Sequence, residues 1–213
     1  MQILSSACKV LIVLMAALGL IIKSNILKKK YNKGMFVYFT HLSALFSLVY
    51  FSALIFFGRT QHNGILPRMN GAVIICVSIT MLVYHFVLVP ELKGKLGDYR
   101  FFSFSELTVH YIVPLLTIVH WLAFSPKGLF SFWDPLIWLT PLLLYFGMTI
   151  FFSRKTPCLE QTGSRYPYFF IDMDHLGLKK VMRNVCIIGI AVLLFGYILV
   201  LIDKGLGLVL PNG

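Results

Sequence analysis

A chain of 213 residues that is 58% hydrophobic and 13% charged has too little polar surface to coat a soluble globule of its size. This excludes an ordinary soluble domain and makes a membrane the natural solvent. The net charge of +11 does not point to nucleic acid, because the basic residues sit in short loops between apolar runs, with no separate basic domain or RNA-binding motif.

A spanning helix needs roughly 20 mostly apolar residues, and the windows 3–22, 35–57, 70–89, 105–124, 135–152 and 181–202 meet that need. The first resembles a signal peptide, but no small-residue cleavage site follows Lys9, and the Leu4 to Cys8 stretch lacks the apolar region that precedes a lipoprotein box. It is expected to stay as a helix. The connections are short except for 153–180, polar at first and then aromatic in Tyr166, Tyr168, Phe169 and Phe170, a composition suited to the headgroup region. Backbone polar groups in lipid require helices or a closed barrel, and runs apolar on every side exclude alternating barrel strands. The expectation is an all-α membrane protein, one bundle of six transmembrane helices forming a single domain over 1–213. No internal repeat suggests a transporter of two related halves. Cys8, Cys76, Cys158 and Cys186 show no CxxC pair or zinc-ligand spacing and read as packing residues.

Lysine and arginine placement sets orientation. The connections after the first, third and fifth windows, with their flanks, carry fourteen basic residues: Lys23, Lys28, Lys29, Lys30, Lys33, Lys93, Lys95, Arg100, Arg154, Lys155, Arg165, Lys179, Lys180 and Arg183. The other side carries five, Lys9, Arg59, Arg68, Lys127 and Lys204. Both termini are therefore expected outside, with the more basic side toward the cytoplasm.

Ionisable side chains inside a bilayer are costly, so each is a functional candidate. Thr40, His85 and His110 lie on three helices at one expected depth, roughly 6 to 8 Å below the cytoplasmic surface at 1.5 Å per residue. Glu106, His110, Thr117 and His120 fall on one stripe of the fourth helix. Thr40, Ser43 and Ser47 repeat the pattern on the second helix, and Ser78 and His85 on the third, which predicts a polar cavity open to the cytoplasm. A hydroxyl beside an imidazole, oriented by a carboxylate, is what nucleophilic acyl transfer requires, and Glu106, one turn before His110, is placed to hold the ring tautomer. Against this, a lone intramembrane threonine ordinarily bonds the carbonyl four residues back, here Phe36. An intramembrane histidine more often bonds a neighbouring helix than a substrate. His120 lies about 15 Å along the helix from His110 and reads as structural or cavity-lining. His41 points about 100° away from Thr40 and reads as packing, while His62 and His175 fall in loops.

The segments Tyr38-Phe39-Thr40 and Leu107-Thr108-Val109-His110-Tyr111-Ile112-Val113-Pro114, with the late tyrosine- and proline-containing loop, resemble the androgen-induced and androgen-dependent TFPI-regulating proteins. Those are multi-pass membrane hydrolases, and the chain is most similar to a shorter bacterial six-helix branch. The resemblance implies a threonine nucleophile at Thr40 and a histidine partner at His110, acting on fatty acid esters of hydroxy fatty acids or another lipid ester. It implies a bacterial cytoplasmic membrane setting. The pattern departs at Pro114, one position early, and in the loop, where Tyr168-Phe169-Phe170-Ile171-Asp172 stands for a Tyr-Pro-Phe-apolar-acid sequence.

The resulting expectation is an intramembrane esterase in which Thr40 attacks the ester carbonyl and His110 acts as base and then acid. Glu106 and His85 are possible supports, His85 as a cavity-wall donor. Ser43, Ser47, Thr117 and Asp172 belong to a possible substrate cavity, with Asp172 near its mouth. The partner is a membrane lipid or fatty acid ester, and no metal or organic cofactor is required. Two alternatives stay open. One is a lipid-binding or transport protein whose polar stripe lines a passage; the other is a haem protein with His85 and His110 as axial ligands.

Overall fold

A computed structural model describes residues 1–29, 31–32, 34–57, 65–95, 103–153, 159 and 163–209. Arg59, His62, Cys158 and several of the loop lysines and arginines lie outside the described residues. All regular structure among the described residues is helical, and six helices are long and apolar enough to cross a membrane: α1 (Gln2–Ser24), α2 (Phe39–Phe57), α3 (Ile65–Glu91), α4 (Phe104–Phe124), α5 (Asp134–Ser153) and α6 (Met173–Val209). Large apolar side chains such as Leu14, Val49, Leu144, Ile190 and Leu194 stand exposed on the outside, as they must when lipid is the solvent. This is the architecture of a multi-pass membrane protein.

The helix limits differ from the sequence expectation for physical reasons. Met35–Val37 forms a separate 3₁₀ turn, and Tyr38 is extended, with φ −90° and ψ 129°. Thus α2 begins at Phe39, and Thr40 lies in its first turn rather than a full turn inside. α3 begins five residues early at Ile65; Pro67 is tolerated in a first turn, and Arg68 is neutralised by an ion pair with Asp134. α6 begins eight residues early because Asp172 caps it. Its Oδ1 accepts the N–H groups of Asp174 and His175 at 3.0 and 3.1 Å, which satisfies donors that a helix start leaves open. Gly177, with φ 74° and ψ 158°, then breaks the helical path, a conformation that costs glycine little.

α3 is the central helix. Residues Asn70 to Ser78 are buried without interruption, and the helix packs on α2, α4, α5 and α6. Gly71 allows the Trp138 ring to approach so closely that an added Cβ would sit 2.1 Å from it. α5 does two things. Its first turn, Asp134–Trp138, packs on α6 and α3, with Pro135 against Gly196, whereas Thr140–Ser153 follows α3 and departs from α6. The gap opened by this divergence is partly filled by Tyr168, Phe170 and Ile171, which pack with Tyr38, Tyr145 and Val185.

At the other end the α4–α5 connection is locked to α6. Asp203, fully buried, accepts the Phe130 N–H through Oδ2 at 2.8 Å, and its carbonyl accepts the Gly128 N–H at 3.1 Å. Lys127 donates to the carbonyls of Trp121 and Ser125, both at 2.6 Å. Burial lowers the Lys127 pKa from its ordinary value, against the pull of the Asp203 carboxylate.

Candidate functional site

α3 and α4 each contain one wide π-helical turn, Tyr84–Leu88 and Thr108–Ile112. Such turns often mark functional positions, and here the two meet. The Tyr84 ring stacks on the His110 imidazole with centroids 3.6 Å apart and planes 13° apart. On the next residues the pairing is reversed, with His85 Nδ1 2.9 Å from the Tyr111 hydroxyl. A π turn admits one extra residue, so consecutive side chains on each helix reach the same partner helix.

His110 and Glu106 are both 5% exposed, and His110 Nε2 lies 3.2 Å from Glu106 Oε2. The other carboxylate oxygen is paired with Lys23 of α1. Ser103 caps the start of α4 by accepting the Glu106 N–H, which sets Glu106 in the first turn. With Nε2–H donated to the carboxylate, Nδ1 carries the ring lone pair. Nδ1 makes no hydrogen bond among the described residues, and the backbone of Thr80 lies beside the ring. A buried imidazole oriented by a carboxylate is suited to proton transfer.

Thr40 is buried on another face of the same region. Its hydroxyl and backbone face the Tyr168 phenol, and its carbonyl accepts from Ser43 Oγ at 3.0 Å. Ser43 Oγ in turn lies 2.9 Å from Thr80 Oγ1, which also donates to the Cys76 carbonyl at 2.9 Å. The helix starts after Phe36, so the usual carbonyl four residues back is not part of the ladder. Among the described residues no hydrogen bond joins Thr40 to His110; Ser43 meets the Thr40 carbonyl and the Thr80 hydroxyl, and the Thr80 backbone lies beside the His110 ring.

Thr40 lines a cavity whose empty space, open mouth included, is roughly 730 Å³. Ile79, Thr80 and Val83 of α3 form one wall, Leu142, Tyr145 and Phe146 of α5 a second, and Val185, Ile188 and Gly189 of α6 a third. Tyr168, Phe170 and Ile171 complete it. Its polar groups are the hydroxyls of Thr40, Thr80, Tyr145 and Tyr168; among the described residues no charged side chain lines it.

The expected polar cavity is thus corrected to an apolar one with a hydroxyl-bearing end. Ser43, Ser47 and Thr117 are buried but lie outside its lining. Ser43 is turned to Thr80, and the hydroxyls of Ser47 and Thr117 have no partner among the described residues. His85 is exposed and bonded to Tyr111 rather than standing on a cavity wall, so it and His110, each with its own neighbours, do not form a pair of facing ligands. Asp172 does not line the cavity either; it caps α6 and is bonded to Ser164 and His175. Glu106, His110, Thr117 and His120 are all buried, so their stripe does face the bundle interior. His120 sits apart, 3.4 Å from Ser5 Oγ, and His41 is bonded to the Met35 carbonyl. Sequence reasoning missed Thr80, Tyr145, Tyr168 and Lys23. Lys23 had a usable signal, since it is the basic residue at the end of α1.

Comparisons with family models, with curated proteins and with solved structures find no match.

Proposed function

We propose that this chain is an intramembrane hydrolase of uncharged lipid esters, with Thr40 as nucleophile and His110 as base and then acid. The carrying observation is the setting of the His110 ring: Nε2 is held on Glu106 and the Thr80 backbone lies beside the ring, next to a cavity whose polar end holds Thr40 and Thr80. Thr40 Oγ1 forms a bond to the ester carbonyl carbon as its proton passes to His110. The tetrahedral adduct expels the alkoxide, which takes the proton from His110. Water then attacks the acyl-threonine, gives its proton to His110, and the acid leaves as Thr40 regains its hydroxyl proton. The Tyr168 phenol, facing Thr40, supplies a donor for the oxyanion.

The resemblance of Tyr38-Phe39-Thr40 and the His110 segment to the androgen-induced and androgen-dependent TFPI-regulating hydrolases supports the same pair. In this reading the protein lies in a bacterial cytoplasmic membrane with both termini outside, the orientation favoured by fourteen basic residues against five. Purified protein in lipid nanodiscs should hydrolyse a long-chain neutral ester, and Thr40→Ala and His110→Ala should each lower kcat/KM by at least about 100-fold.

A second reading, a lipid-binding protein without covalent chemistry, is favoured by the separation of Thr40 from His110. It predicts that the wild type binds the ester without turnover and that Thr40→Ala and His110→Ala alter binding without abolishing any covalent chemistry.

A further inference from the structure

The cavity has a side. Leu143, on its rim, is half exposed at 52%, and the α5 and α6 walls come from two helices that cross near Pro135 and Gly196 and then separate. Leu142, Leu143 and Phe146 line the cavity from one helix and Val185, Ile188 and Gly189 from the other, and Thr140–Ser153 is not among the segments closely packed on α6. Gly189 lies in this gap: an added Cβ there would meet nothing within 4 Å, although the residue lines the cavity. Its missing side chain therefore serves no helix packing, unlike those of Gly71 and Gly196, where a Cβ would fall within 3 Å of a neighbour.

We infer that the gap between α5 and α6 is a lateral portal through which one uncharged acyl chain passes from the bilayer into the cavity, and that Gly189 sets its width. The occupant follows from the lining. Aliphatic and aromatic walls accept a hydrocarbon chain, while the far end offers the hydroxyls of Thr40, Thr80, Tyr145 and Tyr168 and no charge among the described residues. A carboxylate or phosphate brought there would lose its hydration without a cation to replace it, whereas an ester or alcohol needs only hydrogen bonds. The inference rests on reading the cavity as the substrate site of the proposed hydrolase.

The test uses full-length protein in nanodiscs, a long-chain alkyl ester carrying a mid-chain diazirine, and peptide mapping of the photoproducts. Gly147 provides the matched control. It is exposed on α5, lies outside the cavity lining, and an added Cβ there also meets nothing within 4 Å. Capture is expected on the peptides bearing Leu142 and Leu143 and on those bearing Val185 and Ile188. Gly189→Phe is expected to lower it by about tenfold, Gly189→Leu by less, and Gly147→Phe not at all. Unchanged capture in Gly189→Phe, or capture mapped to other helices, would overturn the portal. Thr40→Ala separates the two claims, because it should still be captured. Capture at the portal without hydrolysis by the wild type would leave the portal standing and remove the hydrolase; hydrolysis with capture insensitive to Gly189→Phe would do the reverse.

Discussion

The Tyr84 ring lies nearly parallel on the His110 imidazole, 3.6 Å between centroids, at the meeting of the two π turns. The stack fixes the plane of the ring while Glu106 fixes its rotation within that plane. Aromatic pairs of this kind contribute about 0.5–1.5 kcal/mol beyond their burial. Tyr84→Leu should therefore lower ester turnover by about tenfold, and Tyr84→Phe, which keeps the ring, should lower it less in the same nanodisc assay.

Glu106 joins α1 to the imidazole, because Lys23 and His110 meet on its two oxygens. Removing the buried carboxylate leaves the partly buried Lys23 ammonium without compensation, whereas removing both charges costs less. Glu106→Gln should thus lower the thermal midpoint more than the Lys23→Met, Glu106→Gln double variant does. Turnover should stay low in both, because neither holds a carboxylate on His110. Thermal unfolding followed by intrinsic fluorescence, paired with the turnover assay, checks both parts.

Glycines on the central packing surface should respond in opposite directions from those in open space. Gly71→Ala would place a methyl group 2.1 Å from the Trp138 ring and should destabilise by about 1–3 kcal/mol through overpacking. Gly147→Ala, with nothing within 4 Å, should be neutral or stabilising by up to about 1 kcal/mol, the helix-propensity difference. Midpoints measured side by side decide the sign.

Asp172 links the aromatic loop to α6. Burial would raise its carboxyl pKa, but hydrogen bonds from Ser164 and His175 outweigh it and hold the value below the ordinary carboxylate range. A depressed folded value means that the stabilisation is fully present above the unfolded value, about 4, and is lost as pH falls through the folded value. Asp172→Ala should cost about 0.5–2 kcal/mol at neutral pH, as loss of a helix cap does. The gap between variant and wild type should close as the pH is lowered below about 4, which midpoints measured along a pH series would reveal.

Much of the fold could be read from hydrophobic length alone, because a run of apolar residues in lipid has one backbone solution. The ends could not, since caps and ion pairs set them. Asp172 extends α6 backward across polar residues, Arg68 is kept inside α3 by Asp134, and Tyr38 separates the turn at Met35 from α2. Position along a helix placed Thr40 and His110 in one region, but rotation about the axis was invisible. Thr40 turns toward Tyr168 and the α5–α6 side, while His110 turns toward Tyr84, Glu106 and α1. The π turn at Thr108–Ile112 contributes to this, since it shifts the angular register that a regular helix would give. Thr80 was hidden because a single threonine in an apolar run has no periodic signature, and its importance comes from Ser43 across the helix interface.

The central claim is that the Thr40 hydroxyl is an activated nucleophile. Its most direct test is reaction of the purified protein with an alkyl fluorophosphonate, followed by peptide mapping of the adduct in wild type, Thr40→Ala and His110→Ala. The account predicts an adduct on Thr40 in the wild type, none in Thr40→Ala, and labelling slowed by at least about 100-fold in His110→Ala. A folded wild-type protein that captures the long-chain ester but forms no adduct at Thr40 would contradict it and favour a lipid-binding role.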